Sequence, residues 1–118
     1  MPKTLPVLDV SAPIRCAPVA AAPVDDRSAL EVALRLKALA DPVRVKLMSL
    51  LLAGRERAIN TRDLAATLAL SESTVSHHLG QLRGAGLVSS ARDGMSVRHA
   101  ARRDALSALS SVLDPELR

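Results

Sequence analysis

The sequence contains no Phe, Tyr or Trp among its 118 residues. That absence excludes base stacking on those rings, a device common among single-strand binders. It also requires a core built from Leu, Ala, Val and Met. A domain of this size buries a limited fraction of its surface, so a core without aromatics is easier to stabilise by pairing with a second copy. Cysteine is nearly absent too: Cys16 stands alone. A single thiol excludes an intrachain disulfide and a zinc site of the multi-cysteine kind, and it fits a reducing compartment. No apolar run approaches the ~20 residues that span a bilayer. Lys3 and Arg15 flank apolar residues near the N-terminus, but Pro6, Asp9 and Pro13 interrupt them, so the unbroken stretch of a signal peptide is missing. These absences lead us to expect a cytoplasmic protein with no membrane partner and one domain's worth of chain.

What is present is ordinary globular composition, 48% hydrophobic and 24% charged, which excludes wholesale disorder. Sixteen basic residues against 12 acidic ones give a net charge of +4, which favours a polyanionic partner. Five of the seven prolines (Pro2, Pro6, Pro13, Pro18 and Pro23) fall in residues 1–26. Proline fixes φ and biases its predecessor toward extended backbone, so this stretch is expected to be an arm, mobile or draped, preceding a domain over 27–118.

Within that domain the apolar periodicity predicts four helices, a hairpin and a fifth helix. Ser28 and Glu31 have the spacing of a capping box, followed by two stripes: Leu30, Leu34 and Ala38, then Val32, Leu36 and Leu39. Two stripes let one helix pack on its own domain and on a partner. Asp41-Pro42 starts a second helix through Val43, Leu47, Leu50 and Leu51, stopping by Gly54, with a loop expected over residues 55–59. Asn60 caps a short third helix through Leu64, Ala65 and Leu68. After a tight Ala69-Leu70 connection, Ser71 caps a fourth helix with Val75, His78, Leu79 and Leu82 inward, and Gly84 and Gly86 supply its stop. Strands are expected over residues 87–92 and 95–101, joined at Asp93-Gly94 by a type I′ turn, with Met95, Val97 and His99 on one face. A last helix from about Arg103 carries Leu106, Leu109 and Leu113, and Asp114-Pro115 ends it.

A short helix, a tight turn and a polar-faced second helix are what helix-turn-helix recognition needs. On the fourth helix Ser73, Thr74, Ser76, His77 and Gln81 face outward. These short, uncharged donors and acceptors suit base edges. A Ser/Thr-rich stretch alone would read as a solvated helix face. The basic hairpin that follows, with Arg92 and Arg98, favours the other reading, because a wing after a helix-turn-helix reaches phosphates or the minor groove. Arg62 and Arg83, at the start of the third helix and the end of the fourth, could also meet phosphates or be scattered surface charge.

Three segments then carry a resemblance: Ala38-Leu-Ala-Asp-Pro-Val-Arg44, Leu70-Ser-Glu-Ser-Thr-Val-Ser-His-His-Leu79, and the Asp93-Gly94 hairpin. Over about residues 28–114 the chain resembles the ArsR/SmtB family of winged-helix repressors. The resemblance implies a mainly α winged helix-turn-helix in the order α-α-α-α-β-β-α. It implies a homodimer through the first and last helices, bound to a palindromic operator in double-stranded DNA and released by a metal, metalloid or redox effector. Carried over by position, Ser73, Thr74, Ser76 and His77 would read DNA. Glu72 departs from the neutral residue often found at its position; a carboxylate accepts from cytosine but repels phosphate.

The remaining polar residues divide between chemistry and structure. His77 is expected on DNA, His78 as a buried hydrogen-bonded helper, and His99 in packing or beside phosphate. Arg44, three residues after Asp41, is expected to support the cap. Arg102, Arg103 and Asp104 are expected to serve helix entry. Ser76, His77 and His78 are not a catalytic set, since helix neighbours point about 100° apart and no acidic orienter or oxyanion device accompanies them. No enzyme is expected. Cys16 is the one thiol sensor on offer. The family's thiolate pattern on the third helix is replaced here by Asn60-Thr-Arg-Asp-Leu64, residues 103–118 hold no His, and Arg15-Cys16 supplies one thiol where an arm site wants two. A trigonal As(III) site needs three soft donors. Two readings therefore stay open for As(III) or another thiophilic ion: a substituted sensor, or a thiol switch in which Arg15 favours the Cys16 thiolate. Beside both stands an inert arm cysteine. A dimeric protein-interaction module with the same fold is the alternative to a DNA-binding repressor.

Overall fold

A computed structural model describes residues 12–15, 17–55 and 57–116. The order is α1 (Asp26–Leu39), α2 (Pro42–Ala53), β1 (Ile59–Asn60), α3 (Thr61–Leu68), α4 (Glu72–Gly84), β2 (Val88–Asp93), β3 (Ser96–Ala101) and α5 (Arg103–Leu113). The strands form one antiparallel sheet in the order β1-β3-β2. Leu47 and Leu51 of α2, Leu64 of α3, Val75, Leu79 and Leu82 of α4, and Leu87 and Val88 at the root of the wing are essentially inaccessible and form the main core. Burying each of these Leu or Val side chains is worth about 1.5–3 kcal/mol, which is how an aliphatic core suffices without aromatics.

Each helix starts where a side chain can accept its free N–H groups. Asp41 Oδ1 accepts from Val43 at 2.8 Å and Arg44 at 3.2 Å, with Pro42 as the first helical residue. Asn60 Oδ1 accepts from Asp63 N–H at 2.8 Å, and Ser71 Oγ from Thr74 N–H at 3.1 Å. The α1 start differs from the sequence expectation. Asp25, not Ser28, is the cap, and the Ser28 N–H donates to Asp25 Oδ1 at 2.7 Å. A carboxylate in this place also complements the positive end of the helix dipole, with Asp26 beside it, so the helix begins inside the stretch assigned to the arm.

Part of the arm lies across the domain. Ile14 packs with Val32, Leu109 and Val112 in a second small cluster, and the Val19 N–H donates to Val112 O at 2.9 Å. The buried Arg35 donates to Glu31 O at 2.8 Å and to Ala12 O at 3.3 Å.

Three further differences matter for the site. The expected loop over residues 55–59 ends in β1, whose Ile59 and Asn60 pair with His99 and Arg98. Two residues carry no alternation to read, and only β3 makes them a strand. The hairpin turn is shifted by one residue: Asp93 pairs with Ser96, so Gly94 and Met95 are its central residues. Gly94 has φ +63° and Met95 does not have positive φ, which excludes type I′ and matches a glycine-first turn. Met95 is therefore fully exposed at the tip rather than on the face with Val97 and His99. On α5 the buried stripe is Ala105, Leu109 and Val112, leaving Leu106 half-buried and Leu113 exposed.

Candidate nucleic-acid interface

The turn between α3 and α4 sets the geometry. Leu70 N–H bonds to Ala65 O at 3.0 Å and Ala69 N–H to Ala66 O at 3.3 Å, with Ala69 in the left-handed region at φ 56°. That closure ends α3 and redirects the chain without a long loop. Val75, Leu79 and Leu82 anchor α4 at 0% exposure, and Ser73, Thr74, Ser76, His77 and Gln81 are exposed on its far side.

An open cleft of about 530 Å³ gathers Arg62, Ser73 and Ser76 with Asn60 and Thr61 on one wall and Met95 to Val97 of the wing on the other. Glu72 lines the same cleft, bringing a negative charge among the donors. Gln81 is not part of it. It borders a depression with Leu34, Asp41 and Arg44, on the side of α4 toward α1 and α2. Ser73 and Thr74 are partly committed to the helix cap, since Ser71 Oγ lies 3.2 Å from Ser73 Oγ and donates to Thr74 Oγ1 at 2.8 Å. Among the described residues Ser76 and His77 have no such hydrogen bond, and the His77 ring meets the His78 ring edge-on with centroids 5.6 Å apart.

The two wing arginines are not equivalent. Arg98 Nε meets Asp93 Oδ2 at 2.9 Å, and its Nη1 donates to Ala58 O at 3.4 Å. In the ladder Arg92 stands opposite Val97 and shares a face with Ser90 and His99, the face that meets α3 and α4. Arg92 is exposed and has no carboxylate partner among the described residues.

The histidines separate by environment. His77 is exposed. His78 is largely covered, and its Nδ1 accepts from Arg44 Nε at 3.2 Å while Arg44 Nη1 donates to Ala38 O at 3.1 Å. Because Nδ1 is an acceptor, the 3.9 Å approach of Asp41 Oδ1 is proximity and not a salt bridge. Burial acts to raise the Asp41 carboxyl, but the Arg44 and Val43 N–H groups outweigh it and hold the carboxyl below its ordinary value. His99 is 3% exposed with both ring nitrogens bonded: Nε2 lies 2.8 Å from Thr61 Oγ1 and Nδ1 lies 2.7 Å from Ser90 Oγ. Burial, then the Arg83 guanidinium, pushes its pKa below the ordinary 6.5. Sequence reading missed this set, since its members are separated by up to 38 residues and share no local pattern.

Comparison with known proteins fits this arrangement. The family described as "Bacterial regulatory protein, arsR family" matches residues 41–90. The HTH-type transcriptional regulator NmtR of Mycobacterium tuberculosis is 40% identical over 76 residues, 64% of this chain and 61% of NmtR. The biofilm growth-associated repressor of Agrobacterium fabrum is 33% identical over 91 residues, 77% of this chain and 75% of the repressor. The chain belongs to the ArsR family of bacterial regulatory proteins. Among solved structures of the family's fold, a homodimeric winged helix-turn-helix DNA-binding domain from Mycobacterium bovis superimposes with TM-score 0.62. It is 27% identical and covers 77% of this chain and 85% of that one. The winged helix-turn-helix expected from the sequence is thus the observed fold, with β1 added. The chain spans between about half and three fifths of the length of the NmtR and CmtR relatives it matches. These ArsR-family relatives are transcriptional regulators, not enzymes.

Cys16 lies outside the described residues. Among the described residues no group of three or more His, Cys, Asp or Glu could hold a metal ion. Among the same residues no helix is long and apolar enough to cross a membrane.

Proposed function

We propose that the protein is a homodimeric transcriptional repressor that binds a palindromic operator in duplex DNA. One observation carries the reading: α4 is anchored by three fully buried aliphatic side chains while Ser76 and His77 are exposed on its opposite side, next to a cleft shared with the wing. Ser73, Thr74, Ser76 and His77 read base edges, with Gln81 at the margin of the contact. Arg62 and Arg92 meet phosphates, and Arg98 does so more weakly because Asp93 already holds it. A second copy covers the apolar groove between α1 and α5, where Leu36 and Leu113 are 40% and 41% exposed and Leu39, Leu106 and Leu109 form the floor. A homodimeric winged helix-turn-helix neighbour supports pairing with a second copy.

The test is selection of duplexes from a random pool, followed by titration of the enriched sequence against random DNA. Ser76→Ala with His77→Ala should cost about 30-fold or more in preference, from two base contacts of about 1–3 kcal/mol each. Unchanged preference removes these residues from readout, and a chain that enriches nothing leaves the interaction module as the function. Release by a thiol-directed effector at Cys16 is the accompanying proposal. Cys16→Ser should keep DNA affinity and abolish any loss of affinity caused by arsenite or an oxidant; a variant that still releases acquits the thiol.

A further inference from the structure

His99, Ser90, Thr61 and Arg83 form a chain running from the buried His99 ring out to the exposed Arg83, and the proposed base and phosphate contacts do not use it. Each belongs to a different element. Thr61 opens α3, Arg83 lies in the last turn of α4, Ser90 is on β2, and His99 is opposite Ser90 on β3. Arg83 Nη1 donates to Ser90 Oγ at 3.2 Å, Ser90 Oγ lies 2.7 Å from His99 Nδ1, and His99 Nε2 lies 2.8 Å from Thr61 Oγ1.

We propose that neutral His99 is a positioning residue for DNA binding. It ties the wing to the start of α3 and, through Ser90 and Arg83, to the end of α4, so that helix and wing meet one duplex as a rigid surface. The proposal rests on the DNA-binding reading above. A two-stranded hairpin is marginal by itself, so its angle to α4 must be set by contacts at its root. Hydrogen bonds to both nitrogens of the buried His99 ring set such an angle, because moving the wing off α3 leaves a buried ring nitrogen unpaired.

The direction of each bond follows from donor and acceptor counting. A guanidinium only donates, so Ser90 Oγ accepts from Arg83. Among the described residues the one acceptor for the Ser90 hydroxyl hydrogen is His99 Nδ1. In the proposed arrangement Nε2 carries the ring proton and donates to Thr61 Oγ1. A second proton on Nδ1 turns that acceptor into a donor and forces the Ser90 hydroxyl away. The charge it adds is buried and unpaired. From α4 the ring faces the Arg83 cation; α3 and β2 offer neutral hydroxyls, β1 offers Ile59, and the buried face of α2 is Leu47, Met48 and Leu51. With its pKa depressed in the fold, the neutral network is intact above about pH 6.5 and is lost as pH falls through the folded value.

The experiment uses the full chain and a labelled duplex that the wild type enriches from a random pool. Affinity is followed from pH 5 to 8 for the wild type, Ser90→Ala, His99→Gln and His99→Leu, with thermal melts of each. At pH 7.5 Ser90→Ala should bind about five- to tenfold more weakly while staying folded, the scale of one buried network bond. His99→Gln keeps a donor and an acceptor that cannot be charged. It should recover part of the affinity that His99→Leu loses, and it should lack the fall in affinity below pH 6.5. Both wild type and His99→Gln keep the exposed His77, so their difference isolates His99. Nitrogen-15 shifts of the DNA-free protein should report the Nε2–H tautomer. A Nδ1–H tautomer, an acid limb shared by wild type and His99→Gln, or undiminished affinity in folded Ser90→Ala each overturns the proposal while leaving DNA binding standing. A wild type that enriches no duplex at any pH overturns both.

Discussion

Arg92 and Arg98 carry the same charge six residues apart, and their neighbours give them different work. Arg98 is held by Asp93 and by the Ala58 carbonyl, whereas Arg92 projects from the sheet face that looks toward α3 and α4. Each phosphate that a cation neutralises on duplex DNA contributes about −0.9 to the slope of log affinity against log salt. Arg92→Ala should therefore weaken binding to all duplexes alike and reduce the slope by about one, while Arg98→Ala should change it less. Fluorescence anisotropy at four or more salt concentrations reads both, and equal slopes for the two variants would remove this distinction.

Ala69 shows how an element's position can rest on a strained residue. The α3–α4 turn places this alanine at φ 56°, where a left-handed Cβ costs roughly 1–2 kcal/mol. Glycine removes that cost and adds some unfolded-state entropy. Ala69→Gly is expected to raise stability by about 0.5–1 kcal/mol in urea unfolding, with DNA affinity unchanged. A loss of stability would mean that the Ala69 methyl contributes packing that outweighs its strain. The helices themselves were legible because caps and apolar spacing are local: Asp41, Asn60 and Ser71 each start the helix expected of them. The α1 start was not, because two acceptors, Asp25 and Ser28, competed within one turn. The wing turn moved by one residue because the pairing register of β2 with β3, and not the Asp93-Gly94 dipeptide, decides which residues are central.

At the scale of the molecule, the exposed aliphatic residues of α1 and α5 are the largest departure from a self-sufficient monomer. Leu36 and Leu113 are each more than a third exposed around a groove with a leucine floor. Leu36→Glu with Leu113→Glu should shift the protein to monomer in sedimentation equilibrium without unfolding it, since neither residue belongs to the core. Loss of the two-fold arrangement should also reduce operator affinity, because half-sites about one helical turn apart are then bound one at a time. A double variant that remains dimeric would move the interface elsewhere.

The sequence by itself determined the helix order, the inward face of α4, the presence of a wing and the family, because each rests on residues close together along the chain. The tertiary structure alone decided which wing arginine a carboxylate holds, where Met95 stands, that Ile59 and Asn60 form a strand, and that His99 joins three elements. Those outcomes depend on partners distant in sequence. Burial strengthens the bonds among such partners and penalises every unpaired polar group, so only the assembled fold selects them.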